Sequence, residues 1–223
     1  MNEPDVMVYL MTGFLDSGKS QFLKFTLTQD YFQIDGTTLL ILCEEGEEEF
    51  DPLEMAKHGV KIIKIEEQEE LTEAFLNELH EKYSPERVVI EYNGMWKVSD
   101  FEALSLPQGW EIEQKLTTVD ASTFQMYLNN LKPLFVEMVR GAELVLFNRC
   151  TDIEPLAGYR RSVKVVSPQA EVIFEDENGE IENIFGDDVP YDLNAPVIEI
   201  PRDGLWNLVC GCYGKSGQIQ GKK

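Results

Sequence analysis

The segment Gly13-Phe14-Leu15-Asp16-Ser17-Gly18-Lys19-Ser20 carries the most specific chemistry in the chain. Its two glycines, followed at once by an amine and a hydroxyl, suit the binding of a polyphosphate. The glycines let backbone N–H groups wrap the phosphate oxygens, and a helix starting at the end of the loop presents its positive dipole end to the same anion. Lys19 can reach the outer phosphates, and the Ser20 hydroxyl can ligate magnesium. Gly13, Asp16, Ser17, Gly18, Lys19, Ser20 and Gln21 are therefore the expected nucleotide-binding residues of this segment. Asp16 brings a negative charge towards an anionic ligand, although Asp tolerates the left-handed backbone that such loops require. Weaker nucleotide affinity is the expectation.

Carboxylates supply the second kind of chemistry. Glu91 closes the apolar run "RVVIEY" (87–92), where it can hold magnesium through water or orient an attacking water. Gly94 follows, a residue without a side chain where a main-chain N–H can approach a terminal phosphate. The acidic run "CEEGEEEFD" (43–51) follows another apolar segment and reads either as a solvated loop or as a ligand-facing one. Glu66, Glu67, Glu69 and Glu70 read as a solvated helix start.

These residues need a scaffold, and the hydrophobic pattern supplies one. Short β-branched runs recur at 6–11, 37–43, 60–65, 87–92, 115–120, 142–148 and 170–174. Most are apolar at successive positions, as expected of strands covered on both faces. Amphipathic stretches lie between them: "SQFLKFTL" after the glycine-rich loop, and "EELTEAFLNELHEKY", with Leu71, Phe75, Leu79 and Tyr83 on one stripe. The alternation predicts an α/β fold, a mostly parallel sheet flanked by helices on both faces. In such sheets ligands sit beyond the carboxyl ends of the strands, where both the glycine-rich loop and the acidic run fall.

Composition narrows the partners. A net charge of −22 and a pI near 4.4 leave no diffuse basic surface, which argues against nucleic acid. Four cysteines are too few and too unevenly placed for a disulfide framework, and "VMVYLM" is far shorter than a membrane span. A cytoplasmic protein with no membrane partner is expected. His58 and His80 stand alone and read as surface residues rather than ligands.

The phosphate loop with its strand and helix resembles that of the CobW-type GTPases, relatives of the GTPases that insert nickel into urease and hydrogenase. Three further segments carry the likeness. In "LLILCEEGEEEFD", Glu44, Gly46, Glu47 and Asp51 match the family's Asn-Glu-Phe-Gly-Glu segment and the Asp that follows it. In "VVIEYNGM", Glu91 and Gly94 match its Glu-x-x-Gly motif, and "VDASTF" with "ELVLFNRCTD" resembles its Val-Asp-Ala strand and Asn-Lys-x-Asp base-recognition motif. The likeness implies a P-loop domain over residues 1–178 that binds GTP and Mg2+ and hydrolyses GTP slowly. Lys19, Glu44, Glu47 and Glu91 are its implied catalytic residues. Ser20, Glu44 and Glu91 are its implied metal ligands, and Asn148 and Asp152 its implied base contacts. It further implies a client protein that receives a metal or cofactor, and allows a nucleotide-dependent homodimer.

The departures are specific. The family's Cys-x-Cys-Cys motif has no counterpart in "IKIEEQEEL", Arg149 replaces the Lys of the base motif, and Asp152 lies one residue late, behind Thr151. A P-loop kinase or ATPase, or a non-catalytic nucleotide-gated binding module, stays open beside the GTPase. Cys210-Gly-Cys212 is a two-ligand soft-metal pair without a nearby third. Residues 179–223 read as a C-terminal extension, a truncated second domain or an altered terminus, and are expected to be poorly ordered or packed only locally after Ile200.

Overall fold

The computed structural model describes residues 5–44, 50–151, 153 and 156–175. Glu47, Asp152 and the extension with its Cys210-Gly-Cys212 pair lie outside the described residues. Seven strands form one parallel sheet: β1 (Val6–Thr12), β2 (Thr38–Leu42), β3 (Val60–Lys64), β4 (Arg87–Glu91), β5 (Trp110–Asp120), β6 (Leu144–Asn148) and β7 (Glu171–Phe174). Their order across the sheet is β3-β2-β4-β1-β5-β6-β7. The chain fills the β2 side first, returns to insert β4 beside β1, then crosses β1 to lay down β5. The glycine-rich loop leaves β1 at this crossing, with β4 on one side and β5 on the other.

Each central strand is buried on both faces. Val8 and Leu10 of β1, Leu39 and Ile41 of β2, and Val88 and Ile90 of β4 face one apolar cluster, while Tyr9, Met11, Leu40, Leu42 and Val89 face the other. Helix α1 (Lys19–Leu27) covers the second face through Leu23 and Leu27, and α2 (Pro52–Lys57) through Met55. The first face is covered by α3 (Glu73–Tyr83), α4 (Val98–Glu102), α5 (Phe124–Asn130), α6 (Lys132–Val139) and α7 (Leu156–Val166). Both layers have the sign the hydrophobic effect requires: removing apolar area from water stabilises by about 25 cal/mol per Å2.

Local signals start the helices. The Thr72 hydroxyl accepts from Phe75 N at 3.2 Å at the head of α3, and the Asp51 carboxylate accepts from Leu53 N at 2.8 Å at the head of α2. The predicted α3 stripe is present, with Leu71 and Leu79 buried, Phe75 and Tyr83 half-buried, and Leu76 deepest of all. Glu67–Glu70 is not the first turn of α3 but a separate capped turn, where the Glu70 carboxylate accepts from Glu66 N and Glu67 N at 2.9 Å each. These backbone bonds hold the Glu70 carboxyl below the usual carboxylate range.

The one strand that differs substantially from its predicted span is β5, which begins at Trp110 rather than near 115. Its first half pairs only with β1, with an extra residue inserted between Ile112 and Gln114, while β6 joins it from Leu116 onward. Glu111 and Glu113 there are exposed, so this half lacks the continuous apolar signature of the rest.

Candidate phosphate-binding site

After Thr12 the chain turns through the glycine-rich loop and enters α1 at Lys19. Gly18 caps the helix at φ 89°, a left-handed conformation that costs little without a Cβ. A Cβ there would also meet Asn148 Nδ2 at 2.5 Å. Asp16 adopts φ 60°, the conformation that its residue type tolerates. The loop is held from the β5 side by Ser17 Oγ on Thr118 Oγ1 at 2.9 Å, and Phe14 stacks on Tyr127 of α5 with ring centroids 4.1 Å apart.

Lys19 does not reach into solvent. Its side chain is 2% exposed, and Nζ donates to Gly13 O and Phe14 O at 2.9 Å each while pairing with Glu44 Oε2 at 2.6 Å. The other oxygen of that carboxylate, Oε1, accepts from Gly94 N at 3.3 Å. Two donors that sequence reasoning directed at a terminal phosphate therefore meet on one carboxylate. Glu44 itself, which the resemblance implies as a catalytic residue and metal ligand, sits on the lysine.

Gly94 is placed there by close approach. A Cβ on it would lie 2.4 Å from Gly13 O and 2.8 Å from Phe14 Cα, so the loop after β4 presses against the phosphate loop backbone. Asn93, unremarked in the sequence, locks this arrangement by donating Nδ2 to Cys43 O at 3.1 Å, while Cys43 N donates to Glu91 O at 2.9 Å.

Glu91 is 2% exposed and accepts from Ser20 Oγ at 2.6 Å, so it is no solvated strand end. Burial raises its carboxyl above the usual range; the Ser20 bond and the Lys19 charge oppose this, and Glu44 adds to it. Ser20 and Glu91 together offer hard oxygen donors beside the lysine, which fits magnesium rather than a soft metal. Gln21 lies exposed in the first turn of α1. Soft ligands are poorly placed: Cys43 and Cys150 are buried beyond the ends of β2 and β6, and burial, then Glu91 and Glu44, push the Cys43 thiol far up. Among the described residues no group of three or more His, Cys, Asp or Glu side chains could hold a metal ion.

On the far side of the loop Asn148, the last residue of β6, donates Nδ2 to Ser17 O at 2.8 Å. Its buried Oδ1 has no hydrogen-bond partner among the described residues. Arg149, at φ 53°, reaches back to donate to Asp16 O at 2.9 Å and pairs with the Asp120 carboxylate. Asp120, the acid of the Val-Asp-Ala segment, also accepts from Ser122 N at 2.8 Å. The strand register puts Asp120 beside Asn148, which is why the two loops meet. A motif reading of Arg149 as merely a departure from Lys misses this tie. His80, expected on the surface, is half-buried and accepts from Trp110 Nε1 at 2.9 Å.

The sequence profile described as CobW/HypB/UreG, nucleotide-binding domain, matches residues 7–174. No curated protein matches the chain significantly. Among solved structures, the Zn(II)-bound YjiA GTPase from E. coli superposes with a TM-score of 0.57 at 21% identity, over 77% of this chain and 57% of that one. The hydrogenase maturation factor HypB from Archaeoglobus fulgidus gives 0.57 at 16%, over 79% and 84%. HypB from Helicobacter pylori in complex with nickel gives 0.52 at 12%, over 78% and 80%. The chain thus spans little more than half the length of the E. coli structure, and at these identities the likeness establishes the fold. With the profile running from β1 to the end of β7 and a P-loop α/β sheet to match, the chain belongs to the CobW/HypB/UreG family through its nucleotide-binding domain.

Proposed function

We propose that the chain is a magnesium-dependent GTP-binding protein with slow intrinsic hydrolysis, a nucleotide-driven switch in metal or cofactor handling for a client protein in the cytoplasm. The observation that carries this is the convergence of Lys19 Nζ and Gly94 N–H on one anion above the phosphate loop. Such preorganised donors stabilise charge on a terminal phosphate without reorganisation at the moment of reaction. Ser20 and Glu91 would hold magnesium, which supplies neutralisation of phosphate charge when bound. Lys19 orients the outer phosphates, and the Asn148 bond to Ser17 O keeps the loop that contacts the base tied to the loop that contacts the phosphates. Family membership and the zinc- and nickel-bound relatives support the part in metal handling. A nucleotide-dependent homodimer is part of the same reading. Among the described residues no helix is long and apolar enough to cross a membrane.

Lys19→Ala tests the site. It removes the phosphate-facing ammonium, so triphosphate binding should disappear in calorimetry; unchanged affinity would remove the assignment.

Thr151, standing where the family's base-recognising Asp belongs, favours a second reading: a nucleoside triphosphatase without base preference. If Asp152 makes the contact instead, GTP binds about ten-fold or more tightly than ATP, a gap of about 1.4 kcal/mol. Asp152→Ala then erases that preference and leaves phosphate binding intact. Equal affinities for GTP and ATP in the unaltered protein decide for the second reading.

A further inference from the structure

We propose that the Glu44 carboxylate is a built-in competitor for the terminal phosphate, occupying its donors and giving up both of them only when a triphosphate replaces it. The inference rests on the nucleotide reading of the site and adds how that site is regulated. An ammonium has three N–H groups, and those of Lys19 have three acceptors within hydrogen-bond distance: Gly13 O and Phe14 O at 2.9 Å and Glu44 Oε2 at 2.6 Å. The lysine is saturated. An incoming phosphate therefore displaces a carboxylate rather than water, and the carboxylate is itself only 9% exposed.

The same carboxylate takes the Gly94 N–H through its second oxygen, so one group blocks both donors at once. Its backbone is anchored, since the neighbouring Cys43 is hydrogen-bonded through its N–H to Glu91 O and through its carbonyl to Asn93. Release of Glu44 is consequently a side-chain rotation about a fixed strand end. A phosphate with more than one negative charge and three oxygens outcompetes a single carboxylate for these donors. A diphosphate brings only its β-phosphate to Lys19 and leaves the Gly94 N–H to Glu44. The position of Glu44 thus distinguishes a triphosphate from a diphosphate.

The test uses the full chain and two variants, Glu44→Gln and Glu44→Asp, each checked for an unchanged folded-state circular dichroism spectrum. Glu44→Gln keeps the shape and removes the charge; Glu44→Asp keeps the charge and shortens the reach. The first readout needs no nucleotide: acetylation of Lys19 by acetic anhydride, followed by mass spectrometry. It should be slow in the unaltered protein and about five-fold or more faster in both variants, because a neutral or distant partner holds the ammonium less tightly. Equal rates would overturn the proposal. In the second readout, Glu44→Gln should tighten binding of a non-hydrolysable GTP analogue about ten-fold and that of GDP clearly less, with Glu44→Asp between. GTP-analogue affinity that is equal or weaker in Glu44→Gln overturns the competitor role alone. Absence of triphosphate binding in all three proteins overturns the nucleotide reading and this inference with it.

Discussion

A single methyl group at position 94 tests whether the loop after β4 and the phosphate loop are one device. Gly94 is not in the left-handed region, so Gly94→Ala adds a Cβ without forcing the backbone, and only the contact is perturbed. The new carbon would lie 2.4 Å from Gly13 O, 2.8 Å from Phe14 Cα and 3.1 Å from Phe14 C, where ordinary contact begins at 3.4 Å. The clashing atoms are backbone, so relief means moving the two loops apart by about 1 Å, not turning a side chain. Overpacking of this kind costs about 1–3 kcal/mol. For a domain of this size each kcal/mol is worth about 2–4 °C, so the melting temperature should fall by roughly 2–12 °C. A displacement of about 1 Å in a positioning loop also costs up to about 100-fold in turnover, and triphosphate affinity should weaken with it. Gly158→Ala is the opposite control. Nothing lies within 4 Å of a Cβ there, and the residue sits in α7, where Ala gains about 0.8–1.0 kcal/mol in helix propensity. Differential scanning fluorimetry and calorimetric titration read both variants. A Gly94→Ala protein with unchanged melting temperature and unchanged affinity would show that the loops do not bear on each other as described.

Two further perturbations separate stability from function. Burial raises the Glu91 carboxyl above its usual range, so the folded protein holds that proton more tightly than the unfolded chain, and this contribution to stability falls as pH rises through the interval between the two values. Without divalent metal, Glu91→Gln should therefore melt higher than the unaltered protein at pH 7, with the gap closing below the usual carboxylate range, and should keep nucleotide but lose magnesium-dependent turnover; a gap independent of pH would refute the cause given. Arg149→Ala removes a pair whose arginine is 44% exposed, worth under about 1 kcal/mol, so melting should shift by only a few degrees. Loss of its bond to Asp16 O should nonetheless weaken GTP binding about five-fold in calorimetry, and unchanged affinity would make the tie irrelevant to the site.

What the amino-acid pattern revealed, and what it hid, follows from burial. β2 and β4 stand out because every residue in them is buried, which forces apolar side chains at successive positions. The first half of β5 escapes because it is paired on one edge only and carries Glu111 and Glu113 into solvent, a composition that also suits a loop. His80 misleads for a related reason. One imidazole on a polar helix face reads as solvated, and the Trp110 that donates to it lies thirty positions away.

The site divides along the same line. Lys19, Ser20 and Gly18 are adjacent in the chain, so their spacing alone describes a phosphate cradle. Glu91 and Gly94 need the additional fact that β4 lies beside β1, with Glu91 in register with Met11, and the resemblance supplied it. The pairs Lys19–Glu44 and Arg149–Asp120 depend on more still: which of several acids after β2 turns inward, and that β5 and β6 end level with one another, Asp120 beside Asn148. A carboxylate's identity can be read from sequence; which cation it neutralises is decided by the order of strands. In this chain β4 enters between β2 and β1. That insertion brings the ends of three strands together, and with them the lysine, the acid that occupies it and the acid beside its serine. Had β2 paired directly with β1, Glu91 could not stand between Cys43 and the phosphate loop, and the Lys19–Glu44 pair would have no Gly94 N–H to share.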